Sequence, residues 1–202
     1  QQIVRGMSEP MFAMRSEDQS FAADAIRAYH GTPGAIIGKF QGGRDIGPHF
    51  GSTEQANGIA QIRGVDRGLP AAVYPVDINA KTILELGTET SYSANASDIL
   101  RQMNSNYIFD RIPEAQIIAK MREIENLPPA VANQNVRAFL VDHGYDAISY
   151  KSPLDGPGTA YIPLREGSVR SATSGDVLYA MRDDQPDLTP ERISQLVQPY
   201  LD

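Results

Sequence analysis

The stretch Ala28-Tyr29-His30-Gly31-Thr32-Pro33 is where a predicted strand meets a glycine-rich run that extends to Ser52. Residues 25–29 have the composition of a short strand, and glycines and prolines follow at once. Because glycine has no side chain, such a run lets a small molecule approach the main chain closely, here beside the imidazole of His30. The stretch therefore predicts a small-molecule pocket at the end of the first strand.

The composition restricts the class of protein. The 202 residues suffice for one globular domain with modest extensions, and a hydrophobic fraction of 41% suffices for a core. The formal net charge of −7 disfavours nucleic acid or an anionic membrane as the main partner, although it does not exclude a local basic groove. Absence of cysteine excludes disulfides and thiolate sites and fits a reducing cytosol, so we expect a cytoplasmic protein. No apolar run approaches the roughly 18 residues of a membrane-spanning helix.

The chain is predicted to have three parts. These are an N-terminal linker over 1–24, a folded domain over 25–175, and a C-terminal linker and helix over 176–202. Residues 11–15 (MFAMR) resemble residues 178–182 (LYAMR), which indicates a module bracketed by recurring linkers, with chance similarity as an equal alternative. Because the sequence also lacks an initial methionine, we expect it to be part of a longer polypeptide.

The predicted elements mix helices and strands without the regular spacing of a doubly wound sheet, which indicates an α+β fold. Ser52 followed by Gln55 is a capping-box pattern and predicts a helix start. Pro75 predicts that its strand lies at a sheet edge or contains a bulge. Later strands are predicted at 71–78, 82–86, 145–150 and 159–162, and helices at 97–103, 113–126, 133–143 and from Thr189 onward.

Several common chemistries have no counterpart in the sequence. There is no Gly-x-Ser-x-Gly elbow for a hydrolase, and residues 38–43 do not complete a phosphate-binding loop. The histidines His30, His49 and His143 lack the spacing of metal ligands, so no metal site is predicted. His143, which precedes Gly144, is interpreted as a favourable partner of a helix C-terminus.

Five short motifs follow one another along the chain: Tyr-His-Gly-Thr at 29–32, Gly-Pro-His-Phe-Gly-Ser at 47–52 with Glu-Gln-Ala to 56, and the segments 73–79, 144–151 and 159–172. In this order they resemble the ADP-ribosyltransferase fold of the diphtheria-toxin and poly(ADP-ribose)-polymerase branch, which uses a His–aromatic–acid triad. The chain looks closest to the ADP-ribosyltransferase-like modules of phage and bacterial polyvalent proteins. The resemblance implies an α+β domain with a split, mixed or antiparallel sheet and flanking helices.

The same resemblance implies NAD chemistry. The protein would move ADP-ribose from NAD to a macromolecule, with a protein acceptor favoured, and release nicotinamide, as a bacterial or phage toxin or effector. Its compartment would be the bacterial cytoplasm or, for a delivered effector, the host cytoplasm. Cleaving the nicotinamide glycosidic bond builds positive charge on the ribose carbon, so the site must orient NAD and supply a stabilising carboxylate.

Roles for individual residues are implied in the same way. His30 would bind a ribose hydroxyl, the main chain of Gly31 would bind the nicotinamide carboxamide, and Thr32 would support the turn. Phe40, or alternatively His49, would occupy the aromatic stacking position. Phe50 would lie at the strand-to-helix junction, where it stacks, packs beneath the site, or belongs to the ordinary core.

The acid departs from the family's pattern. Ala160 occupies the place where the family has Glu, and the missing Glu-x-Glu disfavours the arginine-modifying branch. Asp155 and Glu166 are the nearest carboxylates and our candidates for the catalytic acid, with Asp45 as a further one. Asp155 equally fits an ordinary turn-forming role. If no acid serves, the protein is a weak or inactive NAD-binding or protein-binding module, and if water is the acceptor, it is an NAD glycohydrolase.

Overall fold

The computed structural model describes residues 24–33, 40, 45–88, 94–152 and 156–178. The predicted N-terminal linker, apart from Asp24, the helix predicted from Thr189, and Asp155 lie outside these residues. Six strands and four helices occupy the described part. In chain order they are β1 (Ile26–Pro33), α1 (Thr53–Arg67), β2 (Ala71–Ile78), β3 (Ile83–Thr88), α2 (Ala96–Ser105), α3 (Glu114–Ile124), α4 (Pro129–Asp142), β4 (Ala147–Lys151), β5 (Ala160–Pro163) and β6 (Val169–Ser171).

The strands form two three-stranded sheets. The first has the order β1-β2-β6 and is antiparallel throughout. The second has the order β3-β4-β5, in which β3 and β4 are parallel and β4 and β5 antiparallel. The prediction of an α+β fold is confirmed.

Phe50 and Gly51 join the two sheets. The N–H of Phe50 donates to the carbonyl of Tyr161 in β5 (2.9 Å), and the N–H of Tyr161 donates back (2.6 Å). Gly51 makes the corresponding pair with Tyr29 in β1, with both bonds at 2.9 Å. Because neighbouring strands lie about 4.8 Å apart, β1 and β5 are separated by about 10 Å at this point.

Most of the buried apolar side chains belong to two clusters. The larger lies between the second sheet and helices α2 to α4, and it contains the predicted helix positions Ile117, Ile124, Val136 and Leu140. The smaller belongs to the first sheet and consists of Ala28, Phe40, Phe50, Val76, Ile78 and Val169, with Leu178 packed against it. Val177 also bridges to Arg170, so the packed unit extends at least to Leu178, beyond the predicted boundary at residue 175.

Helix α1 begins with the predicted capping box. The Oγ of Ser52 accepts from the N–H of Gln55 (3.2 Å), whose Oε1 accepts from the N–H of Ser52 (2.9 Å). The same side chains hold the turn before β5, since Ser52 donates to the carbonyl of Pro157 (2.9 Å) and Gln55 to that of Gly156 (3.3 Å). The start of α1 and the approach to β5 are thus fixed together.

Pro75 lies in the middle strand of the first sheet, so its prediction as an edge or bulge position is wrong. β2 pairs with β1 residue by residue along its whole length. On its other side, pairing with β6 ends at Val76, and the N–H of Ala172 donates to the carbonyl of Pro75 (3.1 Å). The main chain of Pro75 is directed towards the β6 side, just beyond the last residue pair of β2 and β6. The missing N–H of proline therefore removes no hydrogen bond between these strands.

Tyr107 adopts a left-handed conformation, with φ of 56°, directly after α2. The N–H of Ile108 donates to the carbonyl of Met103 (2.9 Å), which closes the helix end as in a Schellman motif. We expect Tyr107→Gly to raise the free energy of unfolding by about 1 kcal/mol, because glycine adopts this conformation without strain and the tyrosine side chain is 79% exposed. Urea denaturation tests this. Tyr107→Ala, which keeps the Cβ, should give no such gain, and an equal gain in both variants would contradict the explanation.

Candidate functional site

β1 places His30 beside the junction of the two sheets. Its Nδ1 lies 2.7 Å from the main-chain carbonyl oxygen of His49. A carbonyl oxygen only accepts hydrogen bonds, so Nδ1 carries the proton in the neutral ring. The lone pair of Nε2 is therefore left to accept a hydrogen bond, as from a hydroxyl group of a ligand.

The environment of His30 favours its neutral form. Burial of the imidazole lowers its pKa below the ordinary value, while the hydrogen bond to the carbonyl of His49 acts in the opposite direction and more weakly. The positive charge of Arg63 lowers the pKa further. At neutral pH the ring is thus an uncharged acceptor at Nε2.

The lowered pKa of His30 has a consequence for stability. Because the unfolded chain takes up a proton at His30 more readily than the folded protein, the free energy of unfolding should fall as the pH decreases below about 6.5. We expect His30→Gln to reduce this decrease, as measured by urea denaturation at pH 7.5 and 5.5. His143→Gln leaves His30 in place and serves as the control. An unchanged pH dependence in His30→Gln would contradict the assignment.

The main chain of Gly31 is turned towards an edge of β1 that β2 does not use. In an antiparallel pair, alternate residues direct both their N–H and C=O groups to opposite sides. Those of Tyr29 point to Gly51, away from β2. Gly31 follows two residues later, so its N–H and C=O point to the same side as those of Tyr29. They lie beyond the pair of hydrogen bonds that Gly51 makes with Tyr29. This edge of β1 thus carries the main-chain donor and acceptor of Gly31 next to His30, and Gly31 itself is buried.

Gly31 also has a structural reason to be glycine. A Cβ at this position would lie 1.9 Å from the carbonyl oxygen of Ala56 in α1. The helix backbone thus packs directly on the strand. Thr32, the next residue, is half-buried, and its hydroxyl makes a long contact of 3.5 Å with the carbonyl of Pro33.

Phe40 and Phe50 support the His30 ring. Their ring centroids lie 4.6 Å and 5.4 Å from that of His30, and the two phenyl rings meet edge to face at 5.3 Å. Phe40 is 5% exposed and Phe50 is 1% exposed. Both rings lie in the smaller core cluster, so they hold the imidazole from within the protein rather than offering an open face.

The His49 side chain is engaged elsewhere. Its Nδ1 lies 2.6 Å from the hydroxyl oxygen of Tyr150, and the two rings meet edge to face. Its Nε2 is buried 3.4 Å from Oδ2 of Asp45, an ion-pair distance without hydrogen-bond geometry. The ring is therefore held between these two groups, and the main-chain carbonyl is the part of His49 that reaches His30.

The structure does not bring Glu166 to His30. Glu166 is exposed in the turn between β5 and β6, where the carbonyl of Ser168 accepts from the N–H of Asn79, directly after β2. His30 pairs with Tyr74, which is four residues before this end of β2. At about 3.3 Å per residue, the turn that carries Glu166 therefore begins about 13 Å along the strand from the partner of His30.

Ala160 faces the larger core cluster and is buried. The neighbouring residue on β5, Tyr161, packs against the smaller cluster that supports His30. Because successive side chains of a strand point to opposite faces, an acid at position 160 would point into the larger core. Of the candidate acids, Asp155 lies outside the described residues, and Asp45 is connected to the His30 region through His49.

Three tyrosines of the site had not been assigned a role from the sequence. Tyr74 pairs with His30 across the strands, and its ring centroid lies 6.2 Å from that of Phe40. Tyr161 pairs with Phe50, and Tyr150 contacts His49. The face of Tyr74 could have been inferred from the alternation of side chains along the strand predicted at 71–78, whereas the Tyr150 contact joins residues 101 positions apart and has no local signal.

In the parts of the chain that the structure describes, no cluster of three or more His, Cys, Asp or Glu side chains is arranged to hold a metal ion. Nor does any helix there have the length and apolar character needed to cross a membrane. Protein-family models, curated protein sequences and solved structures gave no match to the chain.

Proposed function

We propose that the protein binds NAD at the edge of β1 that faces away from β2 and transfers ADP-ribose to a macromolecular acceptor, with release of nicotinamide. The observation that carries the proposal is the combination of the Gly31 main-chain groups with a neutral His30 whose Nε2 accepts hydrogen bonds. The ordered motifs that resemble ADP-ribosyltransferases support the same conclusion.

The chemistry of nicotinamide riboside suits this edge. A primary carboxamide has one carbonyl oxygen and one NH₂ group, which complement the N–H and C=O of Gly31 in two hydrogen bonds. A ribose hydroxyl then donates to Nε2 of His30. Fixing the base and the sugar together restricts rotation about the bond that must break, which lowers the entropic part of the barrier.

The reaction breaks the bond between the ribose C1′ and the nicotinamide nitrogen. Nicotinamide leaves with the bonding electron pair and becomes neutral, while the sugar develops oxocarbenium character. A nucleophile of the acceptor attacks C1′ and loses a proton. A carboxylate near the sugar would stabilise the positive charge, and replacement of Asp45 and Asp155 in turn would show which of them does so.

Binding of NAD without transfer is the second candidate function. It is favoured by Ala160, whose side chain is buried in the larger core, and by the remote position of Glu166. In this case the protein would act as an NAD-binding or protein-binding module, through the same groups of His30 and Gly31.

One assay separates these functions. The protein is incubated with NAD labelled in the adenylate portion and a bacterial or eukaryotic lysate, and label transfer and free nicotinamide are followed together. We expect transfer that falls at least about 100-fold in His30→Ala and is kept in His143→Ala, a histidine at the end of α4. Nicotinamide release without transfer would indicate a glycohydrolase, and NAD binding without turnover would indicate the module. Absence of both binding and turnover would contradict the proposal.

A further inference from the structure

We propose that Tyr150 and Asp45 are positioning residues, which act through His49 to set the orientation and tautomer of His30. This inference goes beyond the proposed function and rests on it only for its kinetic consequences. It starts from the observation that one residue, His49, is held by its side chain and holds His30 by its main chain.

The side chain of His49 is fixed at both ring nitrogens. Tyr150 contacts Nδ1 at 2.6 Å, and Asp45 lies 3.4 Å from Nε2. Rotation of the imidazole would break both contacts. Because the carbonyl oxygen of His49 belongs to the same short segment before the Phe50–Tyr161 pair, fixing the ring restrains the carbonyl that accepts from His30.

The partners determine where each proton lies. The negative charge of the Asp45 carboxylate, 3.4 Å from Nε2, favours the tautomer of the neutral His49 ring that carries its proton on Nε2, and in that tautomer Nδ1 accepts from the hydroxyl of Tyr150. His30 has the reverse arrangement, with its proton on Nδ1, facing the carbonyl of His49. The two histidines are therefore expected to have opposite tautomers.

Tyr150 is a rigid anchor for this arrangement. It is 5% exposed, lies on β4 and pairs there with Ala160 of β5. Through Tyr150 the second sheet fixes a residue that contacts β1 of the first. Loss of the hydroxyl would free the His49 ring and weaken the restraint on its carbonyl, so that part of His30 would adopt the other tautomer, with the proton on Nε2. That tautomer cannot accept from a ribose hydroxyl.

The test uses ¹⁵N-labelled histidine, because the chain has only 3 histidines and each tautomer has a distinct pair of ring ¹⁵N shifts. Spectra of the wild type, Tyr150→Phe and Asp45→Asn are compared, with resonances assigned from His→Gln variants. Tyr145→Phe is the matched control, since Tyr145 belongs to the same core cluster as Tyr150 but its hydroxyl donates to Asp110 (2.9 Å) instead of contacting His49.

We expect His30 to be protonated at Nδ1 and His49 at Nε2 in the wild type and in Tyr145→Phe. In Tyr150→Phe and Asp45→Asn, His30 should become a mixture of tautomers. In Tyr150→Phe, kcat/KM for nicotinamide release should also fall on the order of 10-fold. His30 remaining protonated only at Nδ1 in both variants would overturn the inference. Asp45→Asn changes a partly exposed side chain, so it decides the question even if Tyr150→Phe does not fold. The spectra decide it without NAD, so failure of NAD turnover would count against the proposed function alone.

Discussion

Gly31→Ala should destabilise the protein by about 3 kcal/mol or more. The added methyl group would lie 1.9 Å from the carbonyl oxygen of Ala56 and 2.8 Å from its carbonyl carbon. Both atoms belong to the backbone of α1, which cannot move aside as a flexible side chain can. Relief therefore requires the helix to shift away from β1, with loss of packing along the strand.

Gly58→Ala is the matched control for this substitution. Gly58 lies in the same helix, and a Cβ there would meet no atom within 4 Å. Alanine in a helix interior is more favourable than glycine by about 0.5–1 kcal/mol, so this variant should be more stable than the wild type. Urea denaturation of both variants measures the difference. A Gly31→Ala variant with wild-type stability would show that the strand and helix are not in direct backbone contact.

Phe50→Ala should cost about 3–5 kcal/mol, the usual range for removal of a buried phenyl ring. The Phe50 ring is buried in the smaller core cluster, where it contacts the rings of His30 and Phe40. Its main chain also joins the two sheets through Tyr161. Loss of the ring leaves a cavity at the point where the sheets meet.

Phe109→Ala provides the comparison, because Phe109 is only partly buried at the margin of the larger cluster. It should lose clearly less stability than Phe50→Ala in the same thermal and urea denaturation experiments. Equal losses in the two variants would contradict the view that Phe50 is the central side chain of its cluster.

Local signals in the sequence predicted much of the fold. The capping box at Ser52 and Gln55 begins α1, and the strand predicted at 71–78 has the bounds of β2. His143 lies at a helix end directly before Gly144, as predicted; it occupies the C-cap of α4, and Gly144 follows with φ of +83°. These features depend on neighbouring residues, whose propensities and hydrogen bonds act within a few positions of the chain.

Features that depend on distant residues were predicted less well. Pro75 was assigned to an edge or bulge because proline lacks an N–H. In the structure Pro75 lies in a middle strand, and no hydrogen bond of the sheet is lost there because the pairing with β6 ends at Val76. The engagement of His49 by Tyr150 depends on how the two sheets meet, which no local pattern encodes. His30 and Gly31 could be assigned to one site from the sequence because they are adjacent. The catalytic acid must come from another element of the fold, so for the acid the sequence yields only a set of candidates.

The proposed function requires that Nε2 of His30 accept a hydrogen bond from NAD. A titration of the ¹⁵N-histidine-labelled protein with NAD tests it directly, with His143 as the internal control and ATP, which lacks nicotinamide riboside, as the control ligand. We predict a saturable change in the Nε2 shift of His30 with NAD, with no comparable change at His143 and a smaller change with ATP. An unchanged His30 resonance at millimolar NAD would contradict the proposed binding of NAD at His30.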